Sequence, residues 1–145
     1  MAHIISGTVE HGDARGRLLG FPTANVAGVF SPDVEGIWTA YAVVDGIGSF
    51  RATVSIGRRP TYYADSAEML VEAHLLDFDG DIYGCRLNIE LVSFLRPQMR
   101  CQTETELVQL IAGDVRSTQA MAAPGCSHGA HGSTRRSHTS IVAQP

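Results

Sequence analysis

Short apolar and β-branched runs, separated by turn-forming residues, dominate the first hundred positions of the chain. Runs enriched in Val, Ile, Thr and aromatic side chains are typical of β-strands. Between or beside them lie turn formers, namely Asp45-Gly46, Gly57, Asp79-Gly80 and Gly84. The pattern predicts five or six mostly antiparallel strands. The clearest runs are Ile4–Glu10, Gly36–Val44, Phe50–Ile56, Met69–Leu76 and Arg86–Leu95.

One helix is predicted after the last of these runs. Thr103 followed by Glu106 fits a capping box, in which the two side chains satisfy free N–H groups at a helix start. Leu107, Leu110 and Ile111 then recur at helical spacing, with Val108 alongside. Many short strands with a single terminal helix indicate an all-β barrel or sandwich.

The composition changes after about Met121. Residues 122–145 are mainly Gly, Ser, Ala, His and Pro, with no hydrophobic period. Such a segment cannot offset its ordering entropy by burying apolar surface. We therefore expect one domain over residues 1–121 and a disordered tail over residues 122–145.

The charge of the domain argues against some function classes. Residues 1–121 contain nine arginines and fifteen acidic residues, a net charge of −6, and the chain has no lysine. Nucleic-acid binding depends on basic contacts to phosphates, so we expect no nucleic-acid partner. The absence of lysine also excludes a Walker A loop, which requires Gly-Lys-Ser/Thr.

Several features indicate a cytoplasmic protein, and we expect it to be a monomer. No run approaches the roughly 18 apolar residues of a membrane helix, and the first residues lack a basic, then apolar, secretion signal. The three cysteines show no CxxC spacing, which is typical of free thiols in a reducing compartment. We therefore expect no membrane partner.

The region with the densest chemistry is the loop HGDARGRLLGFPTAN, residues 11–25. Pro22 favours an extended backbone, on which Thr23 and Asn25 project to one side. Their neutral oxygens suit Mg²⁺ when phosphates supply the charge. The residues alone leave two readings open: an anion- and metal-binding loop, or a Gly-rich hairpin whose Thr and Asn bond their own backbone.

Separated segments resemble the riboflavin kinase family, in the family's order. They are GRLLGFPTAN (16–25) with its Pro-Thr-Ala-Asn signature, SIGRRPTY (55–62), VEAHLLDF through DIYG (71–84), FLRP (94–97) and the helix that follows. The resemblance covers roughly residues 4–118. It implies a small closed Greek-key antiparallel β-barrel of about six strands with one C-terminal helix. It also implies transfer of a phosphoryl group from ATP, with Mg²⁺, to riboflavin, which gives FMN and ADP.

The resemblance also assigns roles to individual positions. Glu72 matches the family's catalytic carboxylate, and we expect an apolar setting for it because it shares a strand face with Leu70, His74 and Leu76. Arg96 matches a residue near the flavin, although an Arg paired with an acid is the structural alternative. The resemblance implies Gly12, Arg17, Thr23, Leu75, Asp77 and Tyr83 for nucleotide binding, and Thr23 and Asn25 for Mg²⁺.

Two other functions stay open. One is a catalytically silent flavin-binding or regulatory module, against which the presence of Thr23, Asn25 and Glu72 argues. The other is a small β-barrel that binds nucleic acid, against which the net charge of −6 argues. Many bacterial relatives carry an adenylyltransferase domain ahead of this module. Because the chain has no room for one, we expect FMN and not FAD as its product.

Overall fold

Six antiparallel strands and one helix make up the computed structural model, which describes residues 3–11, 20–28, 32–58 and 69–125. The elements are β1 (His3–Glu10), β2 (Ala24–Ala27), β3 (Gly36–Val44), β4 (Gly48–Arg58), β5 (Met69–Leu75), β6 (Arg86–Arg96) and α1 (Glu104–Gln119), with a 3-10 turn at Pro32–Val34. The strands close into a barrel in the order β1-β2-β5-β4-β3-β6. Because β6 returns to lie beside β3, strands β3 to β6 form a Greek key. The predicted all-β barrel with a C-terminal helix is confirmed.

Alternation along each strand separates the core from the outer surface. On β5, Met69, Val71 and Ala73 are buried, whereas Leu70 and Glu72 between them are only half-buried. Successive strand side chains point to opposite faces, so Glu72 lies on the outer surface of the barrel. The interior is filled by small and β-branched residues, including Ala40, Ala42, Ala52, Val54, Ile56, Leu87 and Ile89.

The strand β2 was not among the predicted runs, and it is the element that closes the barrel. Its four residues pair with β1 on one side and with β5 on the other. Ala24 and Val26 face the core, and Asn25 between them faces outward. Four residues are too few for a periodic signal, so the sequence pattern indicated only an extended loop end here.

The turn predicted at Gly57 is wrong. Gly57 lies inside β4 and pairs with Leu70, and the strand continues to Arg58. Backbone pairing with β5 keeps β4 extended at this position. A local sequence pattern does not show which strand will pair with it. The turn predicted at Asp45-Gly46 is confirmed, because these residues join β3 to β4 and Gly46 adopts a positive φ of 80°.

The helix begins as its sequence predicts. The Thr103 hydroxyl accepts a hydrogen bond from the Glu106 N–H at 3.1 Å, and the Glu106 carboxylate accepts one from the Gln102 N–H at 3.0 Å. The N-cap is therefore confirmed, with the return bond made one residue earlier than in the standard capping box. Within the described residues, no helix has the length and apolar content needed to cross a membrane.

Polar contacts attach α1 to the outside of the barrel. Asp114 and Thr118 are the buried residues of the helix, whereas its apolar residues Leu107, Leu110 and Ile111 are half-buried. The Thr118 hydroxyl lies 2.7 Å from the Thr53 hydroxyl of β4. The helix is thus positioned by directed hydrogen bonds as well as by apolar burial.

The contacts of the helix end extend slightly past the predicted domain boundary. Arg51 donates to the carbonyls of Gln119 and Met121, and the Tyr41 hydroxyl donates to the carbonyl of Ala122 at 2.8 Å. The tail beyond Gly125 lies outside the described residues. The division at residue 121 and the disordered tail stay predictions.

Replacing the N-cap tests how much this local signal contributes to stability. Thr103→Ala should lower the free energy of unfolding by about 1 kcal/mol, because the Glu106 N–H loses its acceptor. Thr105→Ala is the matched control, since Thr105 is an exposed helical residue where Ala has the higher helix propensity. Urea unfolding of both variants measures the difference. Equal stability of the two would contradict the capping role.

Candidate active site

A row of outward-facing residues crosses the barrel wall at β2. Strand register pairs Glu10 with Asn25, Asn25 with Glu72, and Glu72 with Ser55. Directly opposed residues on one face have Cβ atoms about 5 Å apart. The fold therefore brings together Asn25 and Glu72, the predicted metal ligand and the predicted base, which are far apart in the sequence. The sequence did not single out Glu10, because only the β1–β2 register reveals its position.

The row is partly sheltered from solvent. Asn25 is only 7% exposed and Glu72 is half-buried. The row continues through Ile37, which pairs with Ser55, to Arg96 on β6. Three residues predicted for metal binding, catalysis and flavin contact thus lie along one line across the outer wall.

A cleft of about 470 Å³ opens beside Glu72. One wall comes from the outer faces of β4 and β5, and the opposite wall from the segment that follows β6. Arg58 and Glu35 form an ion pair in it, with Nε and Oε1 3.5 Å apart. The lining residues are Glu35, Ser55, Gly57, Arg58, Leu70, Glu72, Gln98, Met99 and Arg100.

The surroundings of Glu72 are only partly the apolar setting that was predicted. Of the residues expected on its face, Leu70 does line the cleft, but Leu76 lies beyond the end of β5. Leu76 is buried, and its N–H donates to the carbonyl of Arg51. The cleft beside Glu72 has mixed character, because β4 and the segment after β6 add charged and amide side chains to Leu70 and Met99. The sequence of β5 does not reveal these neighbours.

A second cleft, of about 350 Å³, opens at one end of the barrel. It brings together three residues predicted for nucleotide binding: Thr23, Leu75 and Tyr83. Its other lining residues are Val9, Pro22, Ala24, Ala73, Phe78, Asp79, Gly80, Asp81 and Ile82. The cleft thus combines an apolar floor from the barrel mouth with a polar rim from the loop after β5.

Aromatic and imidazole contacts fix the rim of this second cleft. The Tyr83 ring stacks on His11 with centroids 3.7 Å apart, and the Tyr83 N–H donates to Asp81 at 2.9 Å. The His74 Nδ1–H donates to the carbonyl of Pro22 at 2.7 Å. His74, to which the sequence assigned no role, therefore holds the backbone next to Thr23.

The structure does not place the other residues predicted for nucleotide binding in either cleft. Asp77 is outside both clefts; its carboxylate is 80% exposed and pairs with Arg51 at 3.1 Å. Its backbone has a positive φ of 62°, which turns the chain after β5. Gly12 and Arg17 lie outside the described residues. All of these roles stay predictions.

Arg96 makes the ion pair that the structural alternative anticipated. Its guanidinium donates to both oxygens of Asp114, at 3.0 Å and 2.7 Å, and the two side chains are only 16% and 9% exposed. This bidentate bond joins β6 to α1. A flavin contact for Arg96 stays a prediction.

The donor set is suited to a metal that arrives with a nucleotide. Among the described residues, no group of three or more His, Cys, Asp or Glu side chains is arranged to hold a metal ion. Thr23 and Asn25 offer neutral oxygens, which bind Mg²⁺ when substrate phosphates complete its coordination.

A closed six-stranded antiparallel barrel with one C-terminal helix and two surface clefts defines a small β-barrel domain. Comparison with known proteins identifies the family to which this domain belongs. The riboflavin kinase (flavokinase) family matches residues 1–122, and the chain belongs to this family.

Individual proteins show the same similarity. The bifunctional riboflavin kinase/FMN adenylyltransferase of Bacillus subtilis is 34% identical over 115 residues, which are 77% of this chain and 36% of that protein. The chain therefore spans about a third of the length of this relative.

Two solved structures share the fold. A macrolide-efflux protein from Streptococcus pneumoniae superposes with a TM-score of 0.73 and 28% identity, over 82% of this chain and 39% of that one. The riboflavin kinase from Trypanosoma brucei superposes with a TM-score of 0.60 and 24% identity, over 81% and 78% of the two chains. At 24% identity, this second likeness concerns the fold alone.

The Arg96–Asp114 pair can be tested for a role beyond structure. Arg96→Ala and Asp114→Ala should each lower the free energy of unfolding by about 3 kcal/mol, because each leaves a buried charge unpaired. If Arg96 also contacts riboflavin, Arg96→Ala should raise the KM for riboflavin well above the value for Asp114→Ala. Equal KM values in two equally destabilised variants would leave Arg96 with the helix-anchoring role alone.

Proposed function

We propose that the chain is a riboflavin kinase, which transfers the terminal phosphoryl group of ATP to the 5′-hydroxyl of riboflavin to give FMN and ADP. Membership of the family supports this reaction. The observation that carries it is the cross-strand pairing of Asn25 with Glu72, which lines one of two clefts that share strand β5. The carboxylate proposed to accept the proton, Glu72, and the amide proposed to bind the phosphate-bound metal, Asn25, are thus neighbours on one rigid sheet.

In this proposal riboflavin occupies the cleft beside Glu72. The hydroxyl oxygen forms a bond to the terminal phosphorus, the bond from that phosphorus to ADP breaks, and the hydroxyl proton passes to the Glu72 carboxylate. A positioned base contributes about 10² to 10⁴ to the rate. Positioning and charge stabilisation supply most of the remaining acceleration in phosphoryl transfer.

ATP occupies the second cleft, at the barrel mouth. Leu75 and Tyr83 offer an apolar surface and an aromatic ring suited to a purine base. This proposal also assigns Gly12, Arg17 and Asp77 to nucleotide binding.

Strand β5 lines both clefts, with Leu70 and Glu72 in one and Ala73 and Leu75 in the other. In this proposal the riboflavin hydroxyl meets the terminal phosphate directly, where β5 passes from one cleft to the other.

Mg²⁺ bound by the oxygens of Thr23 and Asn25 would neutralise phosphate charge during the transfer. The protein's own contribution is to hold these two oxygens rigidly. The position of Asn25 is fixed because Asn25 pairs with β1 on one side and with β5 on the other. The position of Thr23 is supported by the hydrogen bond between His74 and the carbonyl of Pro22, the residue before it.

We also infer that the protein acts as a monomer in the cytoplasm. A closed barrel has no open sheet edge through which copies could pair. Cys85 and Cys101 are free thiols, which suits a reducing compartment. Size-exclusion chromatography with light scattering tests the oligomeric state.

The direct test incubates the purified chain with riboflavin, ATP and Mg²⁺ and separates the flavins by chromatography. FMN should appear in proportion to enzyme, and EDTA should abolish its formation. No FMN above a no-enzyme control would overturn the proposed activity. Riboflavin binding without FMN would identify a silent flavin-binding module instead. Formation of FAD would contradict the single activity expected for this chain.

Replacing the proposed base by its amide separates chemistry from binding. Glu72→Gln should lower kcat by about 10² to 10⁴ and leave the KM for riboflavin within a small factor, because the proton acceptor is lost in the transition state. Glu90→Gln is the matched control, since Glu90 is an exposed carboxylate on β6 outside both clefts. The melting temperature is measured on the same preparations. A folded Glu72→Gln protein with near-normal turnover would remove Glu72 as the base.

A further inference from the structure

The segment that follows β6 is attached to β4 by one side chain next to the proposed base. The amide nitrogen of Gln98 donates to the Ser55 hydroxyl at 2.9 Å and to the Ile56 carbonyl at 3.1 Å. Ser55 is the cross-strand partner of Glu72. The Gln98 amide therefore reaches the same row of residues that carries the proposed chemistry.

Gly57 provides the space that this contact requires. A Cβ atom at position 57 would lie 3.0 Å from the Gln98 amide nitrogen and 3.4 Å from its Cδ. Gly57 lies in the regular β4–β5 ladder, and its backbone conformation does not require glycine. The absence of a side chain at this position thus matters chiefly for the close approach of Gln98.

The attachment controls one wall of the cleft beside Glu72. Met99 and Arg100 follow Gln98 directly and line the cleft opposite Leu70 and Glu72. Met99 is 54% exposed, so burial in the core does not fix its position. The two hydrogen bonds of Gln98 are directed constraints that hold this wall against β4.

We propose that Gln98 is a positioning residue that sets the width of the acceptor cleft and thereby the affinity for riboflavin. The inference rests on the proposed riboflavin kinase function. It requires an amide at position 98, because the Ile56 carbonyl can only accept a hydrogen bond. A carboxylate of the same shape would face that carbonyl with no proton to donate.

Two substitutions and a control test the proposal. Gln98→Glu keeps the shape and removes the donors, and Gln98→Ala removes the whole side chain. Both should raise the KM and the Kd for riboflavin about tenfold and leave the KM for ATP nearly unchanged, since Gln98 lines the cleft beside Glu72 and not the nucleotide cleft. The control is Ser6→Ala, which removes the 2.6 Å Ser6–Asn88 bond between β1 and β6 outside both clefts. It should leave both KM values unchanged.

Gly57→Ala perturbs the same contact from the other side. The added methyl group meets the end of a flexible side chain, so the barrel should fold while the Gln98 amide is displaced. Gly57→Ala should raise the KM for riboflavin in the wild-type background and have little further effect in the Gln98→Ala background. Equal effects of Gly57→Ala in both backgrounds would overturn the proposal.

Riboflavin binding, measured by quenching of flavin fluorescence without ATP, separates this inference from the proposed function. FMN formation by the wild type with an unchanged riboflavin Kd in both Gln98 variants would overturn the inference alone. Failure of the wild type to form FMN would overturn the proposed function, and the Kd values would still test Gln98. Failure of the wild type to bind riboflavin would overturn both. A fall in melting temperature and kcat with an unchanged Kd would show a merely structural role and would also overturn the inference.

Discussion

The closure of the barrel through β2 is the constraint on which the rest of the structure depends. The four residues of β2 pair with the backbone of β1 on one side and with the backbone of β5 on the other. Without β2 the barrel would be open, and β1 and β5 would each have an edge with unpaired N–H and C=O groups. The same pairing holds Asn25 between Glu10 and Glu72. Barrel stability and the geometry of the candidate active site therefore depend on one set of backbone hydrogen bonds.

A six-stranded barrel also dictates where ligands can bind. Even eight strands enclose only enough space for side chains or one small ligand, and here the interior is filled by alanines and branched aliphatic residues. Ligands must therefore bind at the mouth of the barrel or on its outer wall. The two clefts lie at these places, one at the barrel mouth and one on the outer wall, and strand β5 contributes residues to both.

The segment between β6 and α1 links the active-site wall to the helix. Arg96 anchors the helix through Asp114, and Gln98, two residues later, bonds to β4. Because Pro97 restricts the backbone between them, the two anchors act over a short and stiff stretch of chain. Attachment of the helix and the shape of the acceptor cleft are thus physically connected.

Local patterns in the sequence determined five of the six strands, the helix with its Thr103 cap, and membership of the riboflavin kinase family. These features are readable because alternation, capping and family motifs are properties of neighbouring residues. Only the tertiary structure decided that Ala24–Ala27 is a strand, that β4 runs through Gly57, and that charged and amide side chains line the cleft beside Glu72. It also decided the partners of Arg96, His74 and Gln98. Each of these outcomes depends on the register between strands or on a chain segment that returns from far along the sequence, and no local pattern encodes such long-range contacts.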